Sequence, residues 1–263
     1  PGAQRTSANL RQLLKNSAVH KAHASCDRVQ DPYSFRCMPQ VHGAAKDALA
    51  FVGAALICEA NSATDNPLIF PLRGDSISAG NFHGQPIALP MDFAATALCA
   101  WGNISERRIS TLIHPGMSEL PAFLTPEPGL SSGLMIPQVV AAALVSENKT
   151  HAHPASADNV TTSADQEDHV SMANFAARKL RLATVNTERV LGIELYTAAQ
   201  GREFHKDLRA GDGVQAAYAF IRKHIKPLKA DRFMADELNL MTELVANGAL
   251  RRAAEQACGV LRV

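Results

Sequence analysis

The chain has 263 residues, 46% of them hydrophobic and 19% charged; this excludes disorder as the default and leaves room for a buried core in one large domain or two smaller ones. A formal net charge of +1 supplies no global field for nucleic acid or an anionic membrane, and neither is expected as a partner. Aromatic residues make up only 5% while alanine is abundant, a balance that favours closely packed helices over a strand-rich sandwich.

The opening PGAQRTSANL has neither an initiator Met nor a signal-peptide core, as expected of a processed chain or a piece of a longer one. No apolar run is expected to reach the length of a membrane span. Residues 1–28 carry five Lys or Arg against one Asp, a solvated basic face or a docking surface. Residues 29–40, VQDPYSFRCMPQ, fit no regular element, because Pro32 and Pro39 each bias the preceding residue away from helix. From Pro39 the residues Val41, Ala45, Ala48, Val52 and Ala55 recur at a helical period, predicting a helix that ends before Asn61. Residues 61–92 show no sustained period; LIF and SIS read as short strands in a long loop of the kind that carries function.

Further helices are predicted over 92–113 and 131–150, the latter kinked at Pro137. A long helix is predicted from the acidic pair Glu167 and Asp168 to about Gln200, and two shorter ones near 212–226 and 231–257. The fold class is therefore all-α, a bundle of long helices with a long irregular loop region. Its parts are an N-terminal segment (1–28), a central bundle with loops (29–210) and a C-terminal helical region (211–263). Cys26, Cys37, Cys58, Cys99 and Cys258 form no CxxC pair, which suits a reducing, cytoplasmic setting.

Three polar clusters have the residue types for chemistry. In the first, Arg36 offers a fixed two-donor fork for a carboxylate, beside Tyr33 and Gln30. The second, GNFHGQP, sets Phe82 and a titratable His83 between glycines, or else starts a helix with Phe82 in the core. In the third, SADQEDHVSM, Ser163 or Asp165 can cap a helix and Glu167 and Asp168 suit its first turn, yet five polar residues in succession exceed what a cap needs. A rival metal site would gather His151, His153, Asp165, Glu167, Asp168 and His169. HAH is too close for a helical i, i+4 pair and HExxH is absent, so no metal is predicted.

Seven blocks in order, among them QDPYSFRCMPQVHGA, SATDNPLIF, SAGNFHGQP, SERRI and TSADQEDHVSMANFAARKL, resemble the carboxyl-terminal half of the aromatic amino acid ammonia-lyase family, in its histidine-specific branch. The resemblance implies a fumarase/aspartase-like helical assembly, a homotetramer, and elimination of ammonia from L-histidine to give urocanate. It implies a methylidene-imidazolone prosthetic group formed from an Ala-Ser-Gly that this chain lacks, so that a missing amino-terminal half is expected as partner and the chain alone is expected to be inactive. By the same resemblance Arg36 holds the substrate carboxylate, Tyr33 and Gln30 line the site near the electrophile, and Phe82 packs against prosthetic group and substrate. Glu167 is then an acid facing the amine or imidazole, desolvated beside the ligand, and Gln166-Glu167 favours histidine. Other readings are a non-catalytic helical scaffold, a lyase for another aromatic amino acid, and a metal-dependent hydrolase.

Overall fold

Alanine- and leucine-rich segments at helical spacing make almost every element a helix. The computed structural model describes residues 1–26 and 28–263; Asp27, the single acid of the N-terminal segment, lies outside the described residues. The chain opens with α1 (Gly2–Leu13) and α2 (Ala18–Ala22), followed by the single turn α3 (Tyr33–Arg36) and the long α4 (Met38–Ala60). Strands β1 (Leu68–Phe70) and β2 (Asp75–Ile77) form an antiparallel hairpin with Leu68 opposite Ile77. Next come α5 (Gln85–Ile113), α6 (Pro115–Ser118), α7 (Met135–His151) and α8 (Ala173–Gly201). The C-terminal helices are α9 (Asp212–His224), α10 (Ala235–Ala246) and α11 (Ala249–Cys258).

Several boundaries differ from the periodicity for physical reasons. Helix α5 begins at Gln85 rather than 92, because Pro86 occupies a first-turn position where no N–H is needed. Pro137 likewise lies in the first turn of α7, whose N–H groups have no intrahelical partner to lose. Helix α8 starts after Met172 without a side-chain cap, so Glu167 and Asp168 sit in the preceding loop and not in a helical turn. The helix predicted over 231–257 is two, divided at Gly248, whose φ of +71° suits glycine.

The frame of the fold is α4, α5, α7 and α8. Helices α5 and α8 run parallel: Asp92 pairs with Lys179 at 3.2 Å near one end, and Arg108 pairs with Glu194 near the other. Helix α7 runs against them, with Gln138 on Glu106 and Cys99 on the Asn148 carbonyl. Helix α4 is also antiparallel to α5, setting His42 by Trp101 and Phe51 against Phe93. Helix α1 crosses α4 at Gly2 and Gly43, where a Cβ on Gly43 would meet the Ala3 nitrogen at 2.3 Å. A second layer, α9 to α11, is joined to α8 by the buried cluster of Tyr196, Ile221, Met241 and Leu244.

Contrary to the expectation of no run of that length, α4 and α5 are long and apolar enough, by length and composition, to cross a membrane. Half of that stretch of α5 is buried within the chain, but only 17% of that of α4. The reason is that alanine-rich packing faces read as apolar throughout. Phe51 and Ile57 on α4, Ile136 and Val139 on α7, and Phe175 on α8 remain exposed.

Candidate active site

The first cluster stands on a buried ionic platform. The Arg108 guanidinium is paired with Glu194, with a second contact of 2.9 Å from Nη2, and the Ser105 hydroxyl donates to the same carboxylate. Arg108 Nη1 also donates to the Ser34 carbonyl at 3.4 Å, tying α3 to α5, and lies 3.3 Å from His42 Nε2. Burial, aided by the Arg108 charge, pushes His42 down to about 4, so its ring is neutral at pH 7 and accepts from the guanidinium.

On that seat α3 presents Tyr33 and Arg36. The Arg36 guanidinium carbon lies 4.9 Å from the Tyr33 ring centroid, and its Nε donates to the Asp31 carbonyl at 2.8 Å. Among the described residues its two terminal nitrogens, the Tyr33 hydroxyl and the Gln30 amide carry no other hydrogen bond. Tyr33 is 72% exposed. A fork with two unspent donors beside a phenol and an amide suits a carboxylate with a polar neighbour.

The second and third clusters meet at the start of α5. His83 Nε2 lies 2.8 Å from the His169 carbonyl, and the two imidazoles stack at 5.8 Å with an 8° interplanar angle. Phe82 is 56% exposed, not a core residue. Glu167 closes a backbone bridge with Thr162 and accepts from the Thr162 and Ser163 hydroxyls. Those hydroxyls, Thr162 foremost, hold its carboxyl below the ordinary range. In this single chain Glu167 is exposed.

One chain does not bring the clusters together. Ser34 contacts α5 at Arg108, whereas Phe82 precedes Gln85, the first residue of α5. The intervening helix spans about 35 Å at 1.5 Å per residue. Gln30, Tyr33 and Arg36 therefore lie at one end, and Phe82 and Glu167 at the other.

Nor do the described residues supply the source of the family electrophile. In Ser131-Ser132-Gly133 the Ser132 and Gly133 N–H groups are engaged by the Asp231 carboxylate at 2.7 and 2.9 Å. Ala24-Ser25-Cys26 has no glycine. Phe82 at one end of α5, and the Tyr33 hydroxyl and Gln30 amide at the other, are left open in the chain. Among the described residues no three His, Cys, Asp or Glu gather to hold a metal ion.

Residues 1–223 match the aromatic amino acid lyase family. The chain belongs to that family. It is 50% identical over 260 residues to histidine ammonia-lyase of Symbiobacterium thermophilum, covering 99% of this chain and 51% of the relative. It is 53% identical over 259 residues to that of Deinococcus radiodurans, covering 98% and 49%. The chain thus spans about half the length of the curated relatives it matches. The crystal structure of histidine ammonia-lyase from Trypanosoma cruzi superposes with a TM-score of 0.84 at 39% identity, covering 97% of this chain and 53% of that one. Tyrosine aminomutase from Streptomyces globisporus superposes at 0.90 and 35% identity, covering 99% and 53%.

In this aromatic amino acid lyase chain, sequence reading missed the supports beneath the presented groups. Arg108 and Glu194 seat α3, the His83–His169 contact ties the Phe82 and Glu167 loops together, and Thr162 with Ser163 sets the charge of Glu167. A signal existed for the first: Glu106, Arg107 and Arg108 are a charged run in a predominantly apolar helix.

Proposed function

We propose that this chain furnishes the carboxylate clamp and two flanking walls of an ammonia-lyase that converts L-histidine to urocanate. The site would be closed between protomers and completed by residues outside this chain. The observation that carries the reading is the intact set Gln30, Tyr33, Arg36, Phe82 and Glu167, in a chain 46–53% identical to curated histidine ammonia-lyases. A homotetramer brings the two ends of α5 from different protomers together, and the exposed apolar residues of α4, α7 and α8 are its contact faces. A cytoplasmic location rests on the cysteine pattern alone.

The β-carbon of histidine holds its proton tightly and ammonia is a poor leaving group, so catalysis depends on fixing the substrate before chemistry. Arg36 binds the carboxylate bidentately and sets orientation. Tyr33 and Gln30 hold hydrogen bonds near the departing nitrogen. Glu167, its carboxylate favoured further by the Thr162 and Ser163 hydroxyls, anchors a cationic ammonium or imidazolium. The methylidene-imidazolone, when present, supplies the electrophilic sink that activates the amine; Phe82, Tyr33 and Gln30 would wall it.

The test is co-expression of this chain with the amino-terminal half of a relative and measurement of urocanate absorbance. Urocanate is expected with the partner and none from the chain alone. Product from phenylalanine or tyrosine instead would move the substrate assignment. Association without any product would leave a scaffold.

A further inference from the structure

A cavity of about 500 Å³ lies where α1, α4, α5, α11 and the C-terminal segment meet. Four cationic side chains line it: Arg5 from α1, Lys46 from α4, Arg251 from α11, and Arg262 beyond it. The acids nearby are already engaged, Asp47 by Arg5 at 3.1 Å and Glu255 by Arg251 at 2.8 Å. Two donors at this cavity are buried and lack any hydrogen-bond partner among the described residues, the Arg5 Nε and the Trp101 indole N–H. Both atoms are shielded from solvent behind the cavity wall, so recognition of an oxyanion here rests on the cationic side chains that line it.

The walls are held in place independently of any ligand. Asn9 exchanges two hydrogen bonds with the Arg262 backbone, at 2.7 and 2.8 Å, and Lys46 Nζ reaches the Arg262 carbonyl at 3.1 Å. The Arg262 guanidinium itself makes no hydrogen bond to a described residue. Burial lowers the Lys46 ammonium, and the charges of Arg5 and Arg251 lower it further. Leu49, Ala50 and Leu261 give the rest of the cavity an apolar wall, and its volume exceeds what a bare tetrahedral anion fills.

We propose that this cavity binds a small phosphate-bearing molecule, its oxyanion held by Lys46 and Arg262 and its body lying along Leu49, Ala50 and Leu261. Trp101 is the single tryptophan of the chain, so its emission reports occupancy directly. None of the lining residues belongs to the set assigned to the lyase reaction, and the site is testable on this chain whatever that reaction proves to be.

Inorganic phosphate titrated into the 263-residue chain is expected to give a saturable change in Trp101 emission that chloride at equal ionic strength does not reproduce. Lys46→Gln and Arg262→Gln, each checked for unchanged helical circular dichroism, are expected to weaken binding about ten-fold or more by removing a charge-assisted donor. A parallel titration with adenosine monophosphate separates the sources: tighter binding than inorganic phosphate assigns an organic phosphate, equal affinity assigns the free ion. A response matched by chloride, or undiminished in both variants, overturns the proposal. So does a silent titration.

Discussion

Arg36 lies with its guanidinium over the Tyr33 ring and spends one N–H on the Asp31 carbonyl, leaving its terminal fork unclaimed by the described residues. The ring contact and the Asp31 bond hold the fork in place, and a lysine cannot reproduce its planar, paired donors. In the assembled enzyme Arg36→Ala is expected to raise KM for histidine about 100-fold through loss of two charge-assisted bonds, and to lower kcat as orientation is lost. Arg36→Lys should recover only part of the KM. Near wild-type steady-state kinetics for Arg36→Ala would remove the clamp assignment.

Glu167 offers a prediction that needs no activity. Its carboxyl is lowered by the Thr162 and Ser163 hydroxyls, in that order. A depressed carboxylate contributes its stabilising bonds above the ordinary value of 4.5, and loses them as pH falls through its folded value. The double substitution Thr162→Val with Ser163→Ala is expected to raise the Glu167 titration toward 4.5, read by carbon NMR of the labelled side chain. An unchanged titration would show that the hydroxyls do not set its charge.

How much of this was readable beforehand differs between the two ends of α5. The helical period of Val41 to Ala55 locates α4 almost to the residue, and Pro32 and Pro39 mark the short α3 that presents Arg36, because both are local properties of the chain. The cage around Glu167 depends on three successive left-handed residues, Ser163, Ala164 and Asp165, with φ of 53°, 52° and 68°. No residue-type preference announces that run, which is why the segment reads as a helix start. The Arg108–Glu194 pair joins positions 86 apart in sequence, beyond the reach of periodicity.

That pair supports a stability prediction. Arg108 and Glu194 are largely buried, and removing one partner leaves an uncompensated charge between α5 and α8. Glu194→Gln or Arg108→Ala is expected to cost about 3 kcal/mol in denaturant unfolding. Because Arg108 also holds the Ser34 carbonyl, Arg108→Ala should increase hydrogen exchange in α3 selectively, whereas Glu194→Gln should do so less. Equal exchange in both variants would show that α3 does not rest on the guanidinium.

His42 gives the fold an acid limit. With its folded value near 4 against 6.5 when unfolded, the unfolded chain takes up the proton first as pH falls. Stability is then complete above about 6.5 and declines toward 4, by a total of about 3 kcal/mol. Equilibrium unfolding at a series of pH values should show that slope, and His42→Gln should flatten it. A wild-type slope retained in the variant would assign the acid limit to other groups.

The separation of Arg36 from Phe82 and Glu167 along α5 sets the sharpest condition on the whole reading. If the clamp of one protomer serves the walls of another, Arg36→Ala and Glu167→Gln enzymes, each nearly inactive, must complement when unfolded together and reassembled. Random mixing in equal amounts leaves about a quarter of the sites with both wild-type groups, since each site draws its two parts independently from two subunits. Activity near that fraction of wild type is expected, against none when both substitutions are on every chain. If the mixture stays as inactive as its components while gel filtration shows mixed oligomers, the two ends serve no common ligand, and the lyase reading loses its geometry.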